Sequence, residues 1–373
     1  TITLNGGALS SNSTTARTLD EAIAISASSA LGDSTNTGKI ILSGNTTFSG
    51  TNTLTANSDI ELSGSIDLDS ATQTFSVASG KSATLSGAIS SGAISKSGDG
   101  TLIISADNDY ASGTTVSAGT LRVSGSGDLG TGSLTIGASG TLDLRNTLSV
   151  ASLEISGAGS GNRVTNGDAD GTTANLTVSG TSILNGTVNT DGTQTYSGTT
   201  TLGSDVNLTG STIALAAVTA SGTEDLTITG NLDLNGDVSG VVDLSVSGTS
   251  NIGAHVTTTG SQTYSGATTL SAANTLTTTN SNIVFSNTVN SDGTTRNLNI
   301  NTGTGTTQFA GIVGGTSGVG DIDITGALDL DAAISNASSV AVSLTSNIGA
   351  DVTTTGTQGY SGTTTLSGGD RTL

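Results

Sequence analysis

Three stretches of the chain are copies of one another. Leu176–Leu202 reads LTVSGTSILNGTVNTDGTQTYSGTTTL, Leu244–Leu270 reads LSVSGTSNIGAHVTTTGSQTYSGATTL, and Val340–Leu366 reads VAVSLTSNIGADVTTTGTQGYSGTTTL. Gln194, Gln262 and Gln358 superpose, as do Tyr196, Tyr264 and Tyr360, at offsets of 68 and 96 residues. A sandwich or closed barrel gives every strand a unique place and does not tolerate one module at two spacings. A quasi-one-dimensional stack does, because whole turns can be gained or lost. The offset of 96 divides into four turns of 24, and the difference of 28 is close to one more turn. The expected fold is therefore all-β: a right-handed parallel β-helix, or β-solenoid, forming a single continuous domain over residues 1–373.

The segments between the copies support this. DIELSGSIDLDS (Asp59–Ser70), SLTIGASGTLDL (Ser133–Leu144), DLTITGNLDLNG (Asp225–Gly236) and DIDITGALDLDA (Asp321–Ala332) place Leu, Ile or Val at alternate positions. That is the period of strands with one buried and one wet face. Glycine, asparagine and aspartate punctuate the pattern and supply turns. Such a polar, glycine-rich chain could be disordered, but 33% hydrophobic residues in this arrangement give it a core to bury. Proline is absent, as expected where nearly every strand is central and must donate to a ladder. With coils about 4.8 Å apart, ~15 coils imply a rod on the order of 70 Å long.

Composition closes several functional classes. There is no cysteine, hence no disulfide framework, thiolate metal site or cysteine nucleophile. One histidine leaves little for imidazole chemistry. Nine basic against 29 acidic residues, a net charge of −20, cannot build the phosphate-neutralising face that nucleic-acid binding requires. No apolar run approaches the roughly 18 residues that span a bilayer. No cofactor is expected, and no residue is assigned as catalytic, cofactor-binding or metal-ligating.

Two regions resemble known families. In ARTLDEAIAISASSAL (Ala16–Leu31) Thr18 and Glu21 form a capping-box pattern, and a helix is expected over 16–31. Followed by GKIILSG and LTANSDIELSGSI, this resembles the opening of right-handed parallel β-helix proteins, where such a helix caps the first coil. The resemblance implies that Thr1 lies near the beginning of the folded rod, whereas YSGTTTLSGGDRTL stops inside a repeat and implies continuation beyond Leu373. The second region, 96–144, begins KSGDGTLIISADNDYASGTTVSAGTLRVS (Lys96–Ser124). It is similar to the autotransporter-associated β-strand repeat through Lys96, Gly98, Gly100, Thr101, Leu102, Tyr110, Gly113, Thr114, Val116, Gly119, Thr120, Leu121 and Val123. The modules at 176–202, 244–270 and 340–366 are similar to repeats of filamentous-haemagglutinin-like bacterial exoproteins. These resemblances imply an exported passenger at the surface of a Gram-negative cell, with an outer-membrane export partner of either the autotransporter or the two-partner type.

His255 is replaced by Thr187 and Asp351 in the other copies and is expected to be an outward, solvated residue. Tyr196, Tyr264 and Tyr360, with Phe48 and Tyr110 in similar contexts, could be aromatic platforms for sugar rings. The favoured reading is a packing residue with a locally paired hydroxyl. Asp67 with Asp69, and Asp329 with Asp331, could supply an acid and a base for glycoside cleavage, but lysine is absent after Lys96. NGDADGTT offers Asn166, Asp168 and Asp170 before Gly171, like half a calcium loop, yet Thr177 stands where its terminal glutamate belongs.

The function expected is mechanical and adhesive: the shaft of an exported adhesin or surface fibre, meeting glycans or proteins of a host or neighbouring cell through repeated weak contacts. The alternatives are a filament or matrix protein that self-associates end to end, and a polysaccharide-degrading β-helix enzyme.

Overall fold

The computed structural model describes residues 1–157, 162–166 and 171–373. All regular structure among them is β-strand. The chain divides into two compact units, Thr1–Gly192 and Thr193–Leu373, and each is a parallel β-solenoid.

In the first unit the early turns present three short strands each. One face stacks Ile2–Asn5, Ile23–Ala27, Thr46–Phe48, Ile66–Asp67 and Ile89–Ser90, all parallel. Partners such as Ile2 and Ile23, or Ile66 and Ile89, lie 21 to 23 residues apart. The alternation read from the sequence becomes continuous aliphatic rows. One of them runs Leu19, Leu42, Leu62, Leu85, Ile104, Val123, Leu144, and from Leu42 onward every member is fully buried. Each such side chain contributes roughly 1.5–3 kcal/mol of burial, realised only when the neighbouring coils are in place.

The helix expected over Ala16–Leu31 is not there. Arg17–Leu19, Ile23–Ala27 and Ser29–Leu31 are strands on successive faces. Ile23 and Ile25, two residues apart, both point inward. They pair with Ile2 and Leu4 on one side and with Thr46 and Phe48 on the other. β-Branched side chains at period two outweigh a capping pattern when ladder partners exist on both sides. Thr18 pairs with Ile41 instead of capping, and Glu21 is exposed.

The second unit uses a tighter turn. Leu226, Leu232, Val238, Leu244, Ser250, Val256, Gln262 and Thr268 follow one another every six residues and are all buried. Leu226 pairs with Leu244, and Leu244 with Gln262, so three faces of six residues make an 18-residue turn. Farther on, Leu298 pairs with Ile322, a turn of 24, and Val340 with Gln358, again 18. Turns of 24 residues, as read from the module offset, therefore occur beside turns of 18, and two of the module copies stand on different faces. Tyr264 stands in the row Val246, Tyr264, Phe285, Phe309, Leu330, Ile348, Leu366. Tyr360 stands in another: Val256, Leu276, Ile300, Ile324, Val342, Tyr360. When a face is six residues long, a shift by any multiple of six preserves strands and corners while rotating the module about the axis.

Candidate functional site

The least expected side chain in the core is Lys96. Its strand, Ala93–Ser97, pairs with Thr72–Val77 before it and with Thr114–Val123 after it. Lys96 occupies the inward row Leu54, Phe75, Lys96, Val116, Ile136, where an aliphatic residue is the rule. It is fully buried. Its Nζ donates to the carbonyls of Ser97 (2.9 Å), Gly98 (2.6 Å) and Ala118 (3.1 Å). The first two belong to its own corner and the third to the corner of the next coil. Three donors meet three acceptors, which is the condition for burying an ammonium at all. Burial lowers its pKa to about 8, with Asp99 acting in the opposite direction.

The glycines around it follow from this arrangement. Gly98 (φ +71) and Gly119 (φ +68) both lie in the left-handed region. A Cβ on Gly119 would come within 2.4 Å of the Gly98 oxygen and 2.8 Å of Lys96 Nζ. Gly119 pairs with Gly140 of the following coil, and there a second buried cation appears. Arg163 donates from Nε to the Gly140 carbonyl at 3.3 Å and from a terminal nitrogen to Gly137. One corner of the solenoid is thus capped by buried cations from both sides.

The rest of the repeat is built on the same principle. Tyr110 is fully buried, and its hydroxyl shares a 2.7 Å hydrogen bond with Thr114 Oγ1. Asn108 accepts from the Ile89 N–H (2.8 Å) and donates to the Asp128 carbonyl (2.8 Å), joining three coils. Burial raises the pKa of Asp128, with Asp107 adding to the effect. Asp143, itself buried, receives Nε of both Arg122 (2.7 Å) and Arg145 (3.1 Å).

The recurrent tyrosines are structural. Tyr196 and Tyr264 are buried and Tyr360 is half-buried, so Tyr196 and Tyr264 offer no face to a sugar. Each hydroxyl donates to the glutamine two residues earlier, at 2.9, 3.1 and 3.2 Å. Gln262 Nε2 in turn donates to Thr277 O (2.9 Å) and Val256 O (3.3 Å), and Gln358 Nε2 to Val352 O (3.1 Å). The pair carries hydrogen-bond satisfaction from the core to the corners. Sequence reasoning passed over the same device at Gln73, two residues before Phe75, whose amide bonds the Gly50 and Leu68 carbonyls and the Asn52 N–H. Tyr264, Phe285 and Phe309 stack on consecutive coils with centroids 5.2 and 5.3 Å apart.

His255 is exposed, and it too has a corner role. Its N–H donates to Asp237 Oδ1 (3.0 Å), and its Nδ1 accepts from the Thr275 N–H of the next coil (3.0 Å). Asp351, its counterpart, accepts from the Thr372 N–H at 2.9 Å. The paired carboxylates are likewise spent on structure. Asp67 accepts from the Asp69 N–H and Asp69 from the Gly50 N–H, while Asp329 and Asp331 accept from the Asn347 and Gln308 amides. No cation joins either pair in an ion bridge among the described residues. Asp168 and Asp170 of the calcium-loop pattern lie outside the described residues. Among the described residues no three His, Cys, Asp or Glu side chains gather at metal-ligating distances, and no helix is long and apolar enough to cross a membrane.

Residues 94–123, the segment built around Lys96, match the family model of the passenger-associated-transport-repeat, a repeat of autotransporter passengers. No curated protein and no solved structure matches the chain.

Proposed function

We propose that this chain is part of the passenger of an exported surface protein and serves as the shaft that carries adhesive contacts away from a Gram-negative cell. The observation that carries the reading is the transport repeat at 94–123, folded as a coil within a parallel solenoid. The two together fit an autotransporter passenger domain. The chemistry of the chain supports a structural role. Buried Lys96, Asn108 and Gln262 satisfy corners, its carboxylate pairs are engaged in hydrogen bonds, and its wet faces are rows of Thr, Ser, Asn and Asp. Such rows favour weak contacts repeated along a length, which gain strength by multivalency. The net charge of −20 opposes clumping of neighbouring shafts.

Surface labelling tests the reading directly. Intact cells producing the natural protein are probed with an antibody to the purified chain and with external protease. Labelling and digestion without permeabilisation are expected, and a signal that emerges only after opening the outer membrane rejects display. Beads coated with the purified chain should then adhere to cells or glycan surfaces more tightly as coating density rises. Adhesion independent of density would reject the multivalent mechanism.

A further inference from the structure

Low-complexity solenoids face a specific hazard. Inward and outward residues alternate with period two, so slipping one coil by two residues keeps every hydrophobic side chain inside. In the coil that begins at Ala93, the inward residues Ile94, Leu102 and Ile104 pack on Thr114, Leu121 and Val123. These aliphatic and small side chains would accept a two-residue slip, and the segment Ser105–Gly113 could absorb the change in length.

Lys96 is the inward residue that does not accept it. Its ammonium needs carbonyl oxygens aimed at one point, and these are supplied by the left-handed turn at Gly98 and by Ala118 beside Gly119. The Ala118 bond spans 22 residues and exists only when the next coil is docked in register. The Ser97 and Gly98 acceptors travel with Lys96, so a slip of two residues breaks the Ala118 bond: opposite Thr114 the ammonium falls short of that carbonyl, and opposite Ala118 it reaches past it. We propose that Lys96 is a register pin: a buried cation that penalises every pairing of the 94–104 coil with the 114–123 coil except the native one. A buried charge used in this way adds specificity without adding stability, since an apolar residue of similar volume packs the same row without the desolvation cost. Arg163, bonded to the same corner one coil beyond Gly119, is a second instance of the device.

The absence of cysteine makes the test clean. Ser95 and Thr115 are outward partners in the native register, and Ser117 would replace Thr115 opposite Ser95 after a two-residue slip. In-register neighbours on adjacent parallel strands are about 4.8 Å apart and slipped ones about 8 Å, and only the nearer spacing allows a disulfide. The full chain is therefore made with Ser95→Cys plus Thr115→Cys as the native trap, and with Ser95→Cys plus Ser117→Cys as the slipped trap. Each pair is placed with Lys96 and with Lys96→Met, refolded from denaturant, and oxidised. With Lys96 present only the native trap should close. In Lys96→Met the slipped trap should close in more than about a tenth of chains, with β-sheet circular dichroism retained and the urea midpoint not lowered. Native-only trapping in Lys96→Met overturns the proposal. So does loss of β structure in that variant, which would make the cation a source of net stability. Slipped trapping with Lys96 intact overturns it as well.

Discussion

The coil around Lys96 and the module at 244–270, whose faces are six residues long, solve one problem with different chemistry. Both are turns of a narrow solenoid with aliphatic rows inside, and both must satisfy backbone groups where the strand direction changes. At 96–119 the corner leaves carbonyls pointing inward, and a buried ammonium donates to three of them. At 244–270 the work is done by neutral amides and by exposed acceptors. Gln262 receives the Tyr264 hydroxyl and donates to the Val256 and Thr277 carbonyls, while His255 and, from the coil before the module, Asp237 accept corner N–H groups. The cation ties its coil to one partner. The neutral device recurs with the module and tolerates rotation to another face, as Tyr264 and Tyr360 demonstrate. Repetition by sixes is therefore compatible with the second chemistry, whereas the first marks a unique place.

The largest effect should come from breaking the aromatic stack that accompanies the neutral device. Phe285 lies between Tyr264 and Phe309 and is fully buried. Phe285→Ala should cost about 3–5 kcal/mol, visible as early urea unfolding and faster hydrogen exchange in strands from Gln262–Tyr264 to Leu298–Phe309. Normal exchange there would mean that the coils collapse onto the cavity. Gln262→Leu should follow at about 3 kcal/mol, the upper end for buried groups left unpaired, because the Tyr264 hydroxyl and two carbonyls lose a partner together. The double variant Gln262→Leu with Tyr264→Phe should recover part of that loss in the same urea titration.

The cationic corner is distinguished by pH. The ordinary lysine pKa of 10.5 falls to about 8 in the folded chain. Between these values the unfolded chain holds a proton that the folded chain has released, so stability rises with pH across that window. The gain should be about 2 kcal/mol between roughly pH 8 and 9.5. Above about pH 10 the sign reverses, because burial raises the Tyr110, Tyr196 and Tyr264 hydroxyls above their ordinary value, and the unfolded chain then sheds protons that the folded chain keeps. Exchange protection of the Ala93–Ser97 amides should track the rise and be flat in Lys96→Met.

These contrasts also show what was legible in the sequence. Alternation located the strands and rows, because a strand with one wet face writes its period directly. The pairing of Gln with Tyr two residues later is visible in the sequence as a recurrence, and the geometry supports its reading as a packing residue with a locally paired hydroxyl. The turn length was hidden. Of the eight inward positions from Leu226 to Thr268, three are Ser250, Gln262 and Thr268, so a search for hydrophobic residues loses the six-residue count. Lys96 was concealed more deeply, since a lysine reads as solvated. Its parity was the available signal: it shares a strand face with Ile94, which is buried. At 16–31, helix-forming alanines masked two isoleucines at strand spacing, because nothing local reports the partners waiting on either side.

The smallest prediction concerns His255 and sharpens the contrast at a single atom. If its purpose is to offer one acceptor to the Thr275 N–H, any side chain that places an acceptor there should serve. The counterpart Asp351 does so with a carboxylate at 2.9 Å. His255→Asp should leave the urea midpoint unchanged within about 0.5 kcal/mol, whereas His255→Leu should lose about 1 kcal/mol, the net value of one hydrogen bond. Hydrogen exchange at Thr275 separates the two, since the amide should stay protected in the aspartate variant and become fast in the leucine variant. Equal protection in both would show that the next coil holds that amide without help. The corner acceptors would then be a consequence of the stacking and not one of its causes.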